Sequence, residues 1–267
     1  MEAADESVAV PEKAKTRNKA LTSMQKVKLW SCVCTLGLMA VAGVVIYSDH
    51  FFMLHRPHQS PVSARARDIY VAITSANVDR EPLGLGNIWP KTVQKAGVDT
   101  SSSDISKKCF TNSSDYFYEI YDGLNVGMDR HDPYVNGFDF SKLAGAGVPA
   151  KVGGGKLTAE NNMWAIAANV TEEDSDIIPL LITRNVDVKL LEYFINHGGP
   201  TSNLNMRIAL GAGKYKTPFG DKGAVFVRKG GGTFNFQAKY ATLRVIFNSE
   251  ILPPRDPSKP PIVYLMP

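Results

Sequence analysis

The chain has 267 residues, of which 44% are apolar, 21% charged and 9% aromatic, and its formal net charge is +4. That composition is globular, and so small a basic excess gives no ground for a nucleic-acid partner. The three cysteines exclude a disulfide framework: Cys32 and Cys34 lie in an apolar run and Cys109 stands alone beyond it, so a packed core must supply the stability.

In chain order, residues 1–28 form a polar tail that turns basic, expected to be disordered and cytoplasmic. Residues 29–48, LWSCVCTLGLMAVAGVVIYS, carry no charge. As a helix they would span about 30 Å, the thickness of a bilayer core, and they read as a transmembrane anchor with Trp30 and Tyr47 at its ends. Lys13, Lys15, Arg17, Lys19, Lys26 and Lys28 precede the run without an acid among them, against Arg56, Arg65 and Arg67 after it. The positive-inside bias therefore predicts a single-pass protein of the cytoplasmic membrane with its large domain extracytoplasmic. No small-x-small site follows the run, so it reads as uncleaved.

Residues 49–61 read as a juxtamembrane linker broken by Pro57 and Pro61. Residues 62–267 read as one α+β domain. Val62, Ala66, Ile69, Ala72, Ile73 and Ala76 recur at spacings of three and four, one helical stripe. A second helix is predicted near residues 114–124, capped by Ser113 or Ser114, with Phe117, Ile120, Tyr121 and Leu124 inward. Residues 163–169 and 179–184 read as a hairpin around the acidic stretch 171–176. Residues 187–197 read as a helix closed by Gly198, and residues 224–228 and 233–237 as a second hairpin about Gly230-Gly231-Gly232. A fifth strand is expected at 242–247, and the Pro-rich tail 253–267 as extended chain. Helices first and strands later point to an antiparallel sheet.

No motif supplies a catalytic constellation. Gly153-Gly154-Gly155-Lys156 and Gly211-Ala212-Gly213-Lys214 lack the spacing of a phosphate loop. His50, His55 and His58 have poor spacing for a helical metal site, and Asp129, His131 and Asp132 lie in a Gly/Pro-rich turn. Glu172, Glu173, Asp174 and Asp176 offer hard oxygens for calcium without the alternation of a dedicated loop. Asn112 and Asn169 match the glycosylation sequon. No catalytic, cofactor-binding or metal-binding residue is assigned, and no cofactor or enzyme activity is expected.

A series of segments resembles a known group. They are Ala66-Arg67-Asp68-Ile69-Tyr70-Val71-Ala72 with the following Ala76-Asn77-Val78-Asp79-Arg80, Ile88-Trp89-Pro90-Lys91, Asn112-Ser113-Ser114-Asp115-Tyr116-Phe117, Glu160-Asn161-Asn162-Met163-Trp164, Pro179-Leu180-Leu181-Ile182-Thr183-Arg184-Asn185 and Phe219-Gly220-Asp221-Lys222-Gly223. In this order they resemble the large pilin-like proteins of bacterial type II secretion, the pseudopilins. The resemblance implies a pilin-like domain, a helix on an antiparallel sheet behind a membrane helix. It also implies a structural role in a secretion or pilus-like apparatus, with the lipid bilayer and other pilin-like subunits as partners. Lys28-Leu29-Trp30-Ser31-Cys32-Val33 replaces the glycine-ended leader and early glutamate of a pilin, so a retained tail and a monomer or small complex are expected. The alternative reading is an anchored module that binds a glycan or envelope polymer through Tyr116, Tyr118 and Tyr134.

Overall fold

The computed structural model describes residues 59–92, 104–122, 138–152 and 156–267. All belong to the unit Arg56–Pro267. Its helices are α1 (Gln59–Arg80), α2 (Ser113–Asp122), α3 (Lys189–His197) and the single turn α4 (Leu243–Ile246). Its strands are β1 (Trp164–Ala168), β2 (Pro179–Thr183), β3 (Gly223–Arg228), β4 (Thr233–Gln237) and β5 (Val263–Leu265). They form one antiparallel sheet in the order β4-β3-β2-β1-β5.

Both faces of that sheet are covered. Ala66, Ile69, Ile73 and Ala76 of α1 and Phe117 and Ile120 of α2 pack with Trp164, Ile166, Leu181, Val225 and Val227. On the opposite face, Leu191, Phe194 and Ile195 of α3 and Leu243 and Ile246 of α4 meet Ala165, Leu180, Ile182 and Phe226. Strands enclosed on both sides need apolar residues at every position, which is why β1 and β2 read as continuous runs and are buried throughout. Gly198 (φ +66°) ends α3, and a Cβ there would meet the Leu252 carbonyl oxygen at 2.7 Å.

The expectation of a fold headed by a transmembrane helix is corrected. Among the described residues, no helix is long and apolar enough to cross a membrane. α1 has the length, but Arg65, Arg67, Asp68, Asp79 and Arg80 interrupt it, and its apolar stripe is matched to a protein sheet rather than to lipid. Residues 29–48, on which that expectation rested, lie outside the described residues. So does Leu124.

Three local expectations also change. Pro61 does not delay α1; it lies in the first turn, where the missing N–H has no intrahelical partner to lose. The cap of α2 is Asn112, whose Oδ1 accepts the Asp115 N–H at 2.8 Å. Ser113 is inside the core instead, its hydroxyl donating to the Trp164 carbonyl at 2.7 Å. Finally, residues 242–247 make the turn α4, and the fifth strand is β5, out in the proline-rich tail.

Candidate functional site

The polar feature that stands out is an open cleft of about 470 Å³ between the C-terminal end of α1, the strap 84–89 and the β1–β2 loop. Side-chain bonds hold the strap in place. Asn77 Oδ1 accepts the Ile88 N–H at 2.7 Å, and buried Arg80 donates from Nε to the Gly86 carbonyl at 2.8 Å and from Nη2 to Asp104 at 2.7 Å. Burial raises the Asp104 carboxyl, but the Ser106 and Arg80 hydrogen bonds more than offset this and leave it below the usual range. Trp89 lies against Tyr70, with ring centroids 6.2 Å apart.

The cleft's chemistry is mixed. Exposed Glu81 and Glu172 lie at its rim, Lys229 lines it as well, and Trp89 and Val78 supply apolar surface. The Thr74 hydroxyl is buried and without a hydrogen-bond partner among the described residues. Such an arrangement suits a segment that offers both hydrogen bonds and an apolar side chain.

The acidic loop beside the cleft is a structural staple. Lys229 Nζ donates to the carbonyls of Glu172 (2.8 Å) and Asp174 (2.6 Å) and to Asp176 (3.1 Å). Arg255 pairs with Asp174 and donates to the carbonyls of Asn169 (2.7 Å) and Pro260 (2.9 Å); Lys259 pairs with Glu173. These ammonium and guanidinium groups engage three of the four carboxylates that suggested calcium, those of Glu173, Asp174 and Asp176. Asp174 is raised by burial and lowered more by Arg255 and the Thr171 hydrogen bonds, so its carboxyl stays below its ordinary value. Among the described residues, no group of three or more His, Cys, Asp or Glu could hold a metal ion.

Other sequence candidates separate clearly. Tyr116 is fully buried, donating to the Ile88 carbonyl at 3.1 Å, and Tyr118 stacks on Phe140, so neither stands free for a sugar. Asn169 is buried and donates to Thr92 and Pro261, which removes it as a glycosylation acceptor. Cys109 is a free, half-buried thiol. Gly211 lies in a turn at φ +65°. His50, His55, His58, Asp129, His131, Asp132, Tyr134 and Gly153–Gly155 lie outside the described residues.

The segments that carried the resemblance are joints between elements. Buried Arg184 donates to the Asn162 carbonyl at 2.8 Å and to Thr217 Oγ1 at 2.5 Å and lies over the Tyr215 ring. Asn185 ties the carbonyls of Gly220 and Gly223, each at 2.8 Å. Asn162 links Ser113 to the start of β1. Sequence reasoning missed the cleft and the roles of Arg255 and Lys229; a cation far along the chain announces no partner by its spacing. Comparison with protein-family models, with characterised proteins and with solved structures finds no match.

Proposed function

We propose that the protein is a non-catalytic structural or interaction protein, a pseudopilin-like minor component of a secretion or pilus-like apparatus. The observation that supports it most is how the charged groups beside the cleft are used. Lys229, Arg255, Arg80 and their carboxylates bind the protein's own backbone and loops, leaving an open cleft with apolar surface and the exposed Glu81 and Glu172 as the binding feature. A cleft of that kind docks a partner segment by hydrogen bonds and shape. The resemblance in the sequence adds the apparatus to which such a partner would belong. Of the tyrosines behind the glycan-binding alternative, Tyr116 is buried and Tyr118 packs on Phe140, and Trp89 is the aromatic that lines this cleft.

A photo-crosslinking residue at Val78, 60% exposed on the cleft wall, tests this. Discrete adducts with another envelope protein, lost in Trp89→Ala, are the expected outcome. Adducts with no protein, together with Trp89-dependent retention on a glycan matrix, would transfer the function to the alternative. The proposed extracytoplasmic location rests on the basic excess of residues 13–28. Carbonate washing and protease protection check it, and full-length chain in the soluble fraction would end it.

A further inference from the structure

The two edges of the sheet are treated in opposite ways. At β5, helix α3 takes the place of a neighbouring strand. Asn196 Oδ1 accepts the Ile262 N–H and Asn196 Nδ2 donates to the Ile262 carbonyl, both at 2.8 Å, and one turn earlier Glu192 accepts the Tyr264 N–H at 2.6 Å. Backbone groups that another chain would need are thereby satisfied from within.

At β4 nothing comparable occurs among the described residues. The pairs Arg228–Gly232 and Lys222–Ala238 are hydrogen-bonded across the β3–β4 hairpin. With the unbroken register Gly223↔Gln237 to Val227↔Thr233, the alternation turns Phe234 and Phe236 toward β3 for bonding and turns the N–H and C=O of Thr233, Asn235 and Gln237 outward. Those outward groups have no partner among the described residues. Nor does the strand carry the usual guards of an edge, for Thr-Phe-Asn-Phe-Gln holds no lysine, no proline and no bulge.

We propose that β4 is a self-association edge, and that a second copy of this chain pairs with it antiparallel about a two-fold axis at Asn235. The sequence of the strand is complementary to itself in that register. Asn235 faces Asn235, Thr233 faces Gln237, and all their outward groups are matched in about six backbone hydrogen bonds. Phe234, 39% exposed with the Arg228 guanidinium over one face of its ring at 4.1 Å, comes beside Phe236 of the other copy on the same face of the sheet. β4 itself holds no charged residue, so no like charges face each other between the two paired strands. Two five-stranded sheets then become one of ten strands, with both copies of α1 on the same side. An isologous contact of this kind closes at the dimer and leaves β5 sealed. The inference goes beyond the partner-docking proposal and does not depend on the cleft.

The test uses the full chain in mild detergent with Cys32→Ser, Cys34→Ser and Cys109→Ala. Mass measurement is expected to give a dimer. Asn235→Cys is expected to form an intermolecular disulfide on mild oxidation, because an antiparallel hydrogen-bonded pair holds its Cα atoms about 5.5 Å apart, within disulfide reach. Asn235→Pro removes an N–H that the β3–β4 ladder does not use, so it is expected to give a folded monomer with unchanged circular dichroism; Asn235→Lys is expected to weaken the dimer several-fold. A monomeric parent chain, or a dimer that survives Asn235→Pro and yields no Asn235→Cys disulfide, overturns the proposal. Loss of the Val78 adducts with the dimer intact would count against the docking reading alone.

Discussion

The two hairpins of the sheet use strands of similar length and treat charge in opposite ways. The β1–β2 hairpin is enclosed on both faces, and its acidic loop is bound by Lys229, Arg255 and Lys259, two of them from the far end of the chain. The β3–β4 hairpin turns on Gly230-Gly231-Gly232, where Gly231 (φ +82°) also passes within about 3 Å of the Tyr70 ring if given a Cβ, and its outer strand is half exposed. Enclosure makes every lost polar partner costly, whereas an exposed strand trades its contacts for water at little loss. Stability should therefore concentrate in the first hairpin, and association in the second.

Four substitutions or conditions sharpen that contrast. Arg255→Ala leaves Asp174, with its side chain 11% exposed, held only by the Thr171 N–H and hydroxyl and frees the carbonyls of Asn169 and Pro260. A loss of about 2–3 kcal/mol in denaturant unfolding is expected; a loss below 1 kcal/mol (on the order of a surface pair) would remove the distinction between the hairpins. Lys229→Ala breaks the bonds to Glu172, Asp174 and Asp176, but Asp176 is 76% exposed and readily hydrated. The expected loss is about 1–2 kcal/mol, and faster amide exchange in the β1–β2 loop should accompany it.

Acid is the third perturbation. Asp174 and Asp104 titrate below their unfolded value of 3.8 in the fold, so their stabilisation is complete above that value and disappears as the pH falls through the lower folded one. Glu192 has the opposite sign: burial raises it above 4.5, so its contribution is present below that value and fades as the pH rises through the folded one. Melting temperature should hold down to about pH 4 and then drop, and Asp174→Asn should flatten the drop. The smallest effect belongs to the second hairpin. Phe234→Ala should change the stability of the folded unit by less than about 1 kcal/mol, since its ring is already partly hydrated, and a larger loss would show that β4 carries core weight.

Elements whose apolar periodicity matches a single environment were legible in the residues. The stripe Val62–Ala76, the two hairpins and the helix ending at Gly198 all reappear in the fold, because a helix on a sheet and a strand in a sheet leave periods of 3.6 and 2 or an unbroken apolar run. The run 242–247 was not decidable in that way. Leu243, Ile246 and Phe247 are buried at spacings of three and four, a helical pattern too short to separate from a strand. β5 was illegible for another reason: Pro260 and Pro261 argue against a strand, and only the Glu192 and Asn196 side chains of α3 make an edge there stable.

What the amino-acid sequence by itself determined is the order and type of the long elements and the division between a charge-free run at 29–48 and an α+β domain after it, since these depend on local composition and period. Tertiary structure alone decided which charges are spent and which surfaces remain. Lys229 and Arg255 reach an acidic loop more than fifty residues away, Tyr116 turns inward to Ile88, and one sheet edge is sealed while the other stays open. Pairings over such separations are set by how the layers stack, a property that no local spacing of residues encodes.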